Sequence, residues 1–335
     1  MAKRKNNKRK KGGKSLLTRI LCWTSGLLVV LLLALGGTAL YFINFALTPI
    51  ANNPRCNADS CLAYLSTFEG VAEDPLITPM EGKDTLLRDT VIVDAEGYHL
   101  KAFYARAERP TRKTALLIHG YNDSHWRMLQ LGHMYYRTLG YNIIVPDQFA
   151  HGESEGDHIR MGWLDRLAMK QWLDVAADLF GEDLCIVVHG VSMGGATTMM
   201  LSGEADLPAS VKCFVDDCGY TSVDDQFTYI LRRDFGLPRW PIIPVTSLVN
   251  KWKNGWSFTE ASSIEQVKRC QRPMLFIHGE MDDYVPTEMV YRLYDAHPGE
   301  KALWIAPGSA HANSFKDHPA EYTQQVKAFA EKYME

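Results

Sequence analysis

The chain has 335 residues, of which 46% are hydrophobic and 22% charged, a composition that excludes a disordered or fibrous protein and allows one large core or two modest ones. Its formal net charge of -3 hides an asymmetry. Residues 1–19 hold nine Lys or Arg and no acid, so the remainder carries 27 basic residues against 39 acids, a formal charge of -12. An acidic remainder argues against a nucleic acid or another polyanion as a partner of the main domain.

A long apolar run follows the basic tail. Residues 20–47 contain no charged side chain, and as a helix they can cross a hydrocarbon core of about 30 Å with some tilt. A cleaved signal peptide has the same order of segments, but its apolar region is typically about 7 to 15 residues long and ends at small residues. This run is longer and ends among Tyr41, Phe42 and Phe45, which suit an interfacial belt. We therefore favour an uncleaved, single-pass anchor.

The basic tail gives this anchor an orientation. By the positive-inside rule residues 1–19 stay in the cytoplasm, residues 20–47 span the cell membrane, and the rest lies on the extracytoplasmic side. Residues 48–87 then form a linker and N-terminal segment before a main domain of residues 88–335. Nucleic-acid binding is the alternative role for the tail, and the span directly after it argues against that role.

The cysteines allow at most a minor disulfide contribution. Seven are too few for a disulfide scaffold, and the odd number leaves at least one without a partner in the chain. Cys56 and Cys61, just beyond the anchor, either close a small loop in an oxidising compartment or remain two free thiols. No C-x-x-C pair supports a zinc site.

The main domain alternates strand-like and helix-like segments. Residues 89–106 predict two strands joined in a hairpin at Glu96-Gly97. Residues 163–180 have helical periodicity, which places Leu164, Leu167, Ala168, Trp172 and Ala176 on one face. Six short apolar runs, each followed by a turn, are residues 114–120, 141–147, 184–190, 211–217, 273–279 and 301–308. Apolar strands separated by helices predict an α/β fold with a mainly parallel sheet covered on both faces.

One segment interrupts this alternation. Residues 220–271 are rich in Phe, Tyr, Trp and Pro and follow a strand end directly. Ligands of open parallel sheets bind beyond the carboxyl ends of the strands. We therefore expect this segment to lie over that edge as a cap insertion.

Four His-Gly pairs lie at strand ends or in loops, beginning at His119, His151, His189 and His278. A metal cluster is one interpretation of so many histidines. A tight turn needs the glycine in each case, and the pairs have no His-x-His or His-x3-His spacing. We expect no metal and no cofactor.

The segment VVHGVSMGG, residues 187–195, ends a predicted strand on glycine and leaves Ser192 at the turn. In a strand-turn-helix setting the G-x-S-x-G pattern holds a serine in a strained conformation with its oxygen exposed. The start of the following helix offers N–H groups where negative charge develops. An ordinary N-cap serine would account for the helix start but not for both glycines. We interpret Ser192 as a nucleophile.

A serine hydroxyl needs a base to remove its proton, and that base needs a carboxylate to orient it. His311 lies in a small-residue loop after the last predicted strand, and Asp282 and Asp283 follow the strand before it. Asp216 and Asp217 end another strand and are rivals for the role of the carboxylate. The chain order Ser, Asp, His is that of one fold family among several convergent solutions.

From about residue 88 to the end, these motifs resemble those of the α/β-hydrolase superfamily. HGEMDDYVP is similar to the superfamily's H-G-x-x-D-x-x-V-P segment, which assigns the acid to Asp282, and PGSAHA is similar to the segment that carries the histidine, His311. HGYND resembles the H-G-x segment, which implies oxyanion donors at the backbone N–H groups of Tyr121 and Met193. PDQFAHGESEG is similar to a structural loop of the family, with Phe149-Ala150 where Arg-Gly is usual.

Within the superfamily the chain is most similar to membrane-anchored bacterial hydrolases of the serine aminopeptidase-like and acyl-ester-cleaving group. This resemblance implies a serine hydrolase that cleaves carboxylic esters or thioesters through an acyl-enzyme on Ser192. The aromatic cap and a site near a bilayer favour a small-molecule or lipid acyl substrate.

Two alternatives remain at this point. Serine aminopeptidase-like or amide hydrolysis would need a carboxylate in the cap to hold the substrate amine, and Asp224, Asp225 and Asp234 are available. A non-catalytic, membrane-tethered binding module is the other, and the intact set of Ser, Asp and His argues against it.

Overall fold

The computed structural model describes residues 16–51, 53, 57–78 and 85–334. Most of the basic tail lies outside these residues, and so does Cys56, one of the two cysteines that either close a small loop or remain free thiols.

Eight strands of the described residues form one sheet. The strands are β1 Arg88–Val93, β2 His99–Ala105, β3 Lys113–Ile118, β4 Asn142–Pro146, β5 Cys185–Val191, β6 Val211–Asp217, β7 Met274–Gly279 and β8 Lys301–Ala306. The α-helices are α1 Leu16–Leu47, α2 Ala58–Leu65, α3 Leu129–His133, α4 Asp165–Phe180, α5 Met193–Ser202, α6 Val223–Phe235, α7 Arg239–Asn254, α8 Ser263–Val267, α9 Glu288–Ala296, α10 Ser314–Asp317 and α11 Pro319–Tyr333.

The strand order is β1-β2-β4-β3-β5-β6-β7-β8. The hairpin partners β1 and β2 are antiparallel, β2 is antiparallel to β4, and every other neighbouring pair is parallel. The predicted mainly parallel α/β sheet is confirmed. Because β3, β5, β6, β7 and β8 run the same way, the loops after all five strands meet at one edge of the sheet.

Each face of the sheet carries its own core. Along β3, Ala115 and Leu117 pack with one cluster of buried residues, whereas Leu116 and Ile118 pack with the other. This alternation is the two-residue period of a strand that is covered on both faces.

The buried face of α4 differs from the predicted face at two of its five residues, because Leu164 precedes the helix and is only half-buried and Leu167 is exposed. Ala168, Trp172 and Ala176 are buried as expected, but Leu167 is 45% exposed. Five residues separate Leu167 from Trp172, which is about 140° around a helix at 3.6 residues per turn. Leu167 therefore points away from the stripe that contacts the sheet.

Helix α1 spans 32 residues. Its most apolar stretch has a mean hydropathy of 2.4, which together with its length is typical of a membrane span and also of an N-terminal signal sequence. The helix starts four residues before the predicted anchor and ends at the predicted residue, Leu47.

The segment between β6 and β7 holds α6, α7 and α8. Helix α6 contacts α7, and α7 contacts α1, whereas α8 packs against α5 and α9 in the body of the domain. The covering part of this segment is therefore the pair α6 and α7, called the cap helices below. Gly236 and Gly255, both with positive φ, end the two cap helices.

Replacing Trp172 by Ala should lower the free energy of unfolding by about 3 to 5 kcal/mol, because the indole is fully buried between α4 and the sheet. Leu167→Ala, on the exposed side of the same helix, is the matched control and should cost less than about 1 kcal/mol. Urea unfolding of the full chain in detergent, followed by circular dichroism, measures both. Equal losses in the two variants would contradict the packing described for α4.

Candidate active site

The site is built on a one-residue turn between β5 and α5. Ser192 alone connects them and has φ 59° and ψ -117°, a conformation that costs about 1 to 3 kcal/mol for a residue with a side chain. A Cβ on Gly190 would lie 2.0 Å from the Gly194 carbonyl oxygen, and a Cβ on Gly194 would lie 1.9 Å from the Ile118 carbonyl oxygen. Gly190 is therefore required by the packing of the turn against α5, and Gly194 by the packing of α5 against the end of β3.

A chain of two hydrogen bonds starts at the serine. Ser192 Oγ lies 2.8 Å from His311 Nε2, and His311 Nδ1 lies 2.7 Å from Asp282 Oδ2. An ionised carboxylate only accepts, so Nδ1 carries the ring proton and Nε2 is left to accept the serine hydroxyl. The three residues singled out in the sequence thus lie in hydrogen-bonding contact, although 119 positions separate Ser192 from His311.

Asp282 is almost fully buried and yet ionised. Burial alone would raise the pKa of its carboxyl group, but hydrogen bonds from His278 and His311 outweigh burial and hold that pKa well below its usual range. The backbone N–H groups of Tyr284 and Val285 both donate to Oδ1 at 2.9 Å. The carboxylate is therefore charged at neutral pH and oriented toward the His311 ring.

His278 is a site residue that sequence reasoning missed. The pattern suggested only a turn histidine at the end of β7, but its Nε2 lies 3.2 Å from Asp282 Oδ2 and 2.9 Å from the Val285 carbonyl oxygen. Burial opposes its positive charge, and the carboxylate of Asp282 prevails and raises the pKa of His278. Its place as the first residue of the H-G-x-x-D pattern, four residues before Asp282, was the signal in the sequence.

The rival carboxylates have other partners. Asp216 Oδ1 accepts from the Gly219 N–H at 3.1 Å, and Asp217 Oδ2 accepts from the Tyr322 hydroxyl at 2.8 Å. Burial raises the pKa of Asp216 to about 7 and that of Asp217 to about 6. Asp283 is exposed, and its backbone carbonyl accepts hydrogen bonds from the cap.

Two backbone N–H groups lie beside the serine. One belongs to Met193, the first residue of α5. The other belongs to Tyr121, which follows Gly120, and Gly120 lies so close to Ser192 that a Cβ added to it would be 3.4 Å from the Ser192 Cβ. Neither N–H donates to another protein group among the residues that the structure describes. The oxyanion role that the resemblance implies for these two N–H groups stays a prediction.

Two cavities meet at Ser192. The first has a volume of about 470 Å³ and is mainly apolar, lined by residues of the cap helices, of α1 and of the turn after β3. The second has a volume of about 590 Å³ and a more polar wall that includes Asn53, Arg127, Gln130 and Asn313. We call them the apolar cavity and the polar cavity.

The cap holds the loop that carries the acid. Gln226 Nε2 donates to the Tyr284 carbonyl oxygen at 2.7 Å, and Tyr229 and Arg233 both donate to the Asp283 carbonyl oxygen. The Tyr284 ring in turn lies 5.0 Å from the His311 ring. Tyr284 is a second residue that sequence reasoning missed, and its position next to Asp282 and Asp283 gave no distinctive signal.

One group of potential metal ligands lies close together in the described part of the chain: Cys218, Asp282 and His311, with ligand atoms within 4.8 Å of one another. Burial raises the pKa of the Cys218 thiol well above its ordinary value, so it remains protonated and is a poor ligand. Asp282 and His311 already bind each other. The donor set fits proton transfer better than metal binding.

Comparison with known proteins identifies the family. Residues 165–335, about half of the chain and the part that holds Ser192, Asp282 and His311, match the model of the prolyl oligopeptidase family. The chain belongs to this family. An uncharacterized Bacillus subtilis protein, YqkD, is 30% identical over 239 residues, which cover 71% of this chain and 77% of the relative.

More distant relatives extend the comparison. Lysophosphatidylserine lipase ABHD12 of Danio rerio is 24% identical over 312 residues, 86% of this chain and 74% of the lipase. The structure of the esterase Pf2001 from Pyrococcus furiosus has a TM-score of 0.60 and 23% identity, and the match covers 74% of this chain and 93% of the esterase. The resemblance to the α/β-hydrolase superfamily is confirmed, and the chain is a hydrolase.

The choice among the carboxylates can be tested by labelling of the serine with a fluorophosphonate. Asp282→Asn should slow labelling by up to about 10⁴-fold, because an amide favours the wrong imidazole tautomer and cannot stabilise the imidazolium. Asp283→Asn is the matched neighbour and should label at nearly the wild-type rate.

Asp216→Asn and Asp217→Asn complete the series, with thermal melting to confirm that each variant is folded. Both should still be labelled. If Asp282→Asn reacts like the wild type while Asp216→Asn or Asp217→Asn does not react, the acid has been assigned to the wrong strand end.

Proposed function

We propose that this protein is a membrane-anchored serine hydrolase that cleaves carboxylic ester or thioester bonds through an acyl-enzyme on Ser192. The observation that carries the proposal is the hydrogen-bond chain from Ser192 Oγ through the His311 ring to Asp282. A nucleophile, a base and an orienting carboxylate in this order are the parts that acyl transfer requires.

Acylation follows from this geometry. His311 Nε2 accepts the proton of the Ser192 hydroxyl while Oγ attacks the substrate carbonyl carbon. The N–H groups of Tyr121 and Met193 donate to the oxygen that becomes negatively charged, and the Asp282 carboxylate stabilises the imidazolium. Collapse of the tetrahedral intermediate breaks the bond to the leaving group, which takes the proton from Nε2.

Deacylation repeats the sequence with water. His311 Nε2 accepts a proton from a water molecule, and the resulting nucleophile attacks the acyl carbonyl. The bond to Ser192 Oγ then breaks, Oγ takes the proton back from Nε2, and the carboxylic acid leaves. The role of Asp282 is the same in both halves, since its low pKa keeps it charged throughout.

An acyl substrate fits the apolar cavity better than a peptide with a free amine. Each of the three carboxylates considered for amine binding is paired with an arginine: Asp224 with Arg239, Asp225 with Arg292 and Asp234 with Arg233. Only Asp234 lines the apolar cavity among these three. Peptide or amide cleavage is the second candidate, and the match to the prolyl oligopeptidase family favours it.

The anchor is part of the proposal. We assign residues 1–19 to a cytoplasmic tail, 48–87 to a linker and N-terminal segment, and 88–335 to an extracytoplasmic hydrolase domain with the insertion at 220–271. Residues 20–47 are the transmembrane anchor, and the last ten or so of them pack against the hydrolase domain. The contact of α7 with the end of α1 supports retention of this helix over its removal as a signal sequence.

Replacing Ser192 by Ala tests the nucleophile. The variant should lose fluorophosphonate labelling and should hydrolyse p-nitrophenyl esters on the order of a million-fold more slowly, because only the attacking oxygen is removed. Ser202→Ala, which removes a hydroxyl from the far end of α5, is the control and should retain activity. Substantial esterase activity in purified Ser192→Ala would refute the mechanism, and cleavage of aminoacyl amides but not esters by the wild type would favour the second candidate.

The anchor predicts a specific fractionation. Full-length protein should stay in the membrane fraction through an alkaline carbonate wash, because an apolar helix in the bilayer is not released by breaking ionic contacts. Protease added to intact spheroplasts should digest the hydrolase domain. Protection of the domain until the membrane is permeabilised would reverse the assigned topology.

A further inference from the structure

Helix α1 is longer than a membrane requires. At 1.5 Å per residue its 32 residues extend about 48 Å, whereas a hydrocarbon core is about 30 Å thick. Residues 16–34 are exposed on all sides. Beyond them Ala39, Ile43 and Leu47 form a buried stripe at a spacing of four residues. The last ten or so residues of α1 therefore belong to the hydrolase domain.

Specific contacts fix this end of the helix. The Tyr121 hydroxyl donates to the Ala46 carbonyl oxygen at 2.7 Å, and the Ile159 N–H donates to the Leu47 carbonyl oxygen at 2.8 Å. Phe42 packs edge-to-face on Phe235 of the cap with 5.2 Å between ring centroids. Helix α1 is thus joined both to the cap and to the turn that offers the Tyr121 N–H.

The same end of α1 forms a wall of the apolar cavity. Phe42, Phe45 and Ala46 line the cavity together with Ser192, with Ile230 and with other apolar residues of the cap helices. Phe42 and Phe45 were expected to lie in an interfacial belt. Their side chains also line the space next to Ser192, and Phe45 is 58% exposed.

The outer surface of the cap is apolar next to α1. Trp240, Leu248 and Trp252 are 75%, 70% and 86% exposed, and the last two are four residues apart on one face of α7. Helix α7 contacts the end of α1. Tryptophan is enriched where a membrane meets water, so this surface is suited to the headgroup region of the leaflet that α1 crosses.

The polar cavity also reaches Ser192 and has a different chemistry. Gln130 is 8% exposed, lines this cavity and has no hydrogen-bond partner for Oε1 within the described residues. Arg127 lines the same cavity beside Asp123. An ester with an apolar acyl chain and a polar leaving group would match both cavities at once.

We propose that α1 is a wall of the acyl-binding cavity as well as an anchor, and that the cavity takes the acyl chain of a membrane lipid that moves along α1 from the bilayer. The inference rests on the proposed function and goes beyond it, because it makes a membrane helix a determinant of acyl-chain selectivity. The polar cavity then receives the headgroup side of the same ester.

Ala46→Trp in the full chain tests this inference, because the indole would occupy the cavity from the α1 side. The measurement is the ratio of kcat/KM for a dodecanoyl to that for a butanoyl p-nitrophenyl ester in detergent micelles. Each buried methylene group of the acyl chain contributes about fourfold to affinity. If the indole removes the space for two methylene groups, the dodecanoyl-to-butanoyl ratio should fall about 15-fold. Leu40→Trp, an exposed position on the same helix, is the matched control and should leave the ratio unchanged.

Phe42→Ala provides a second measurement that does not depend on the folding of the Trp variant. Removing this ring enlarges the cavity and should shift the preferred acyl length upward.

Trp252→Glu tests the contact with the leaflet. In this variant, hydrolysis of a long-chain lipid ester in phosphatidylcholine vesicles should fall at least about tenfold relative to hydrolysis of the butanoyl ester in solution. The reason is that contact with the leaflet would bury the charge of the glutamate.

The outcomes separate this inference from the proposed function. If the wild type is labelled by fluorophosphonate and cleaves esters, but the chain-length ratio is the same in Ala46→Trp, Phe42→Ala and Leu40→Trp, then α1 is an anchor only and this inference is wrong. A wild type that is neither labelled nor active on any ester would instead overturn the proposed function, and the inference with it.

Discussion

The positive φ of Ser192 is the constraint on which the arrangement of the site depends. Strand β5 passes into α5 within one residue, and the Ser192 N–H donates to the Asp217 carbonyl oxygen at 2.7 Å, which joins the turn to the neighbouring strand. A Cβ at Gly195 would lie 2.3 Å from Asp216 Oδ1. The serine oxygen is therefore held by the close packing of strand, helix and turn, and its histidine and carboxylate must approach from the loops after β7 and β8.

The charge of Asp282 links the edge of the sheet that carries Ser192 and His311 to the cap. A buried carboxylate without partners is costly, and Asp282 offsets that cost through His278, His311 and two backbone N–H groups. Those N–H groups belong to a loop that Gln226, Tyr229 and Arg233 of α6 hold by its carbonyl oxygens. The cap thus covers the cavity and positions the acid in the same set of contacts.

Asp217 has a structural part in this edge of the sheet. Its Oδ2 accepts from the Tyr322 hydroxyl, and Tyr322 and Tyr135 contact the two ring nitrogens of His189 at 2.9 and 3.1 Å. Burial lowers the pKa of His189 to about 3, so the ring is neutral and can accept from one tyrosine while it donates to the other. This network joins α11 to β5 and β6 next to the turn at Ser192. In this network the hydrogen-bond partner of the Asp217 carboxylate is Tyr322, whereas His311 contacts Asp282.

The sequence by itself determined the sheet, the turn at Ser192 and the three residues of the hydrogen-bond chain, because these depend on local patterns: apolar runs, glycines where no Cβ fits, and short motifs after strands. It also separated Asp282 from Asp216 and Asp217, but only through the resemblance to a family. Tertiary structure alone decided that Leu167 of α4 faces away from the sheet and that His278 contacts Asp282. It also decided that Phe42 and Phe45 line a cavity. Those outcomes depend on contacts between segments far apart in the chain, and a side chain in an apolar helix carries no local mark of whether lipid or protein will surround it.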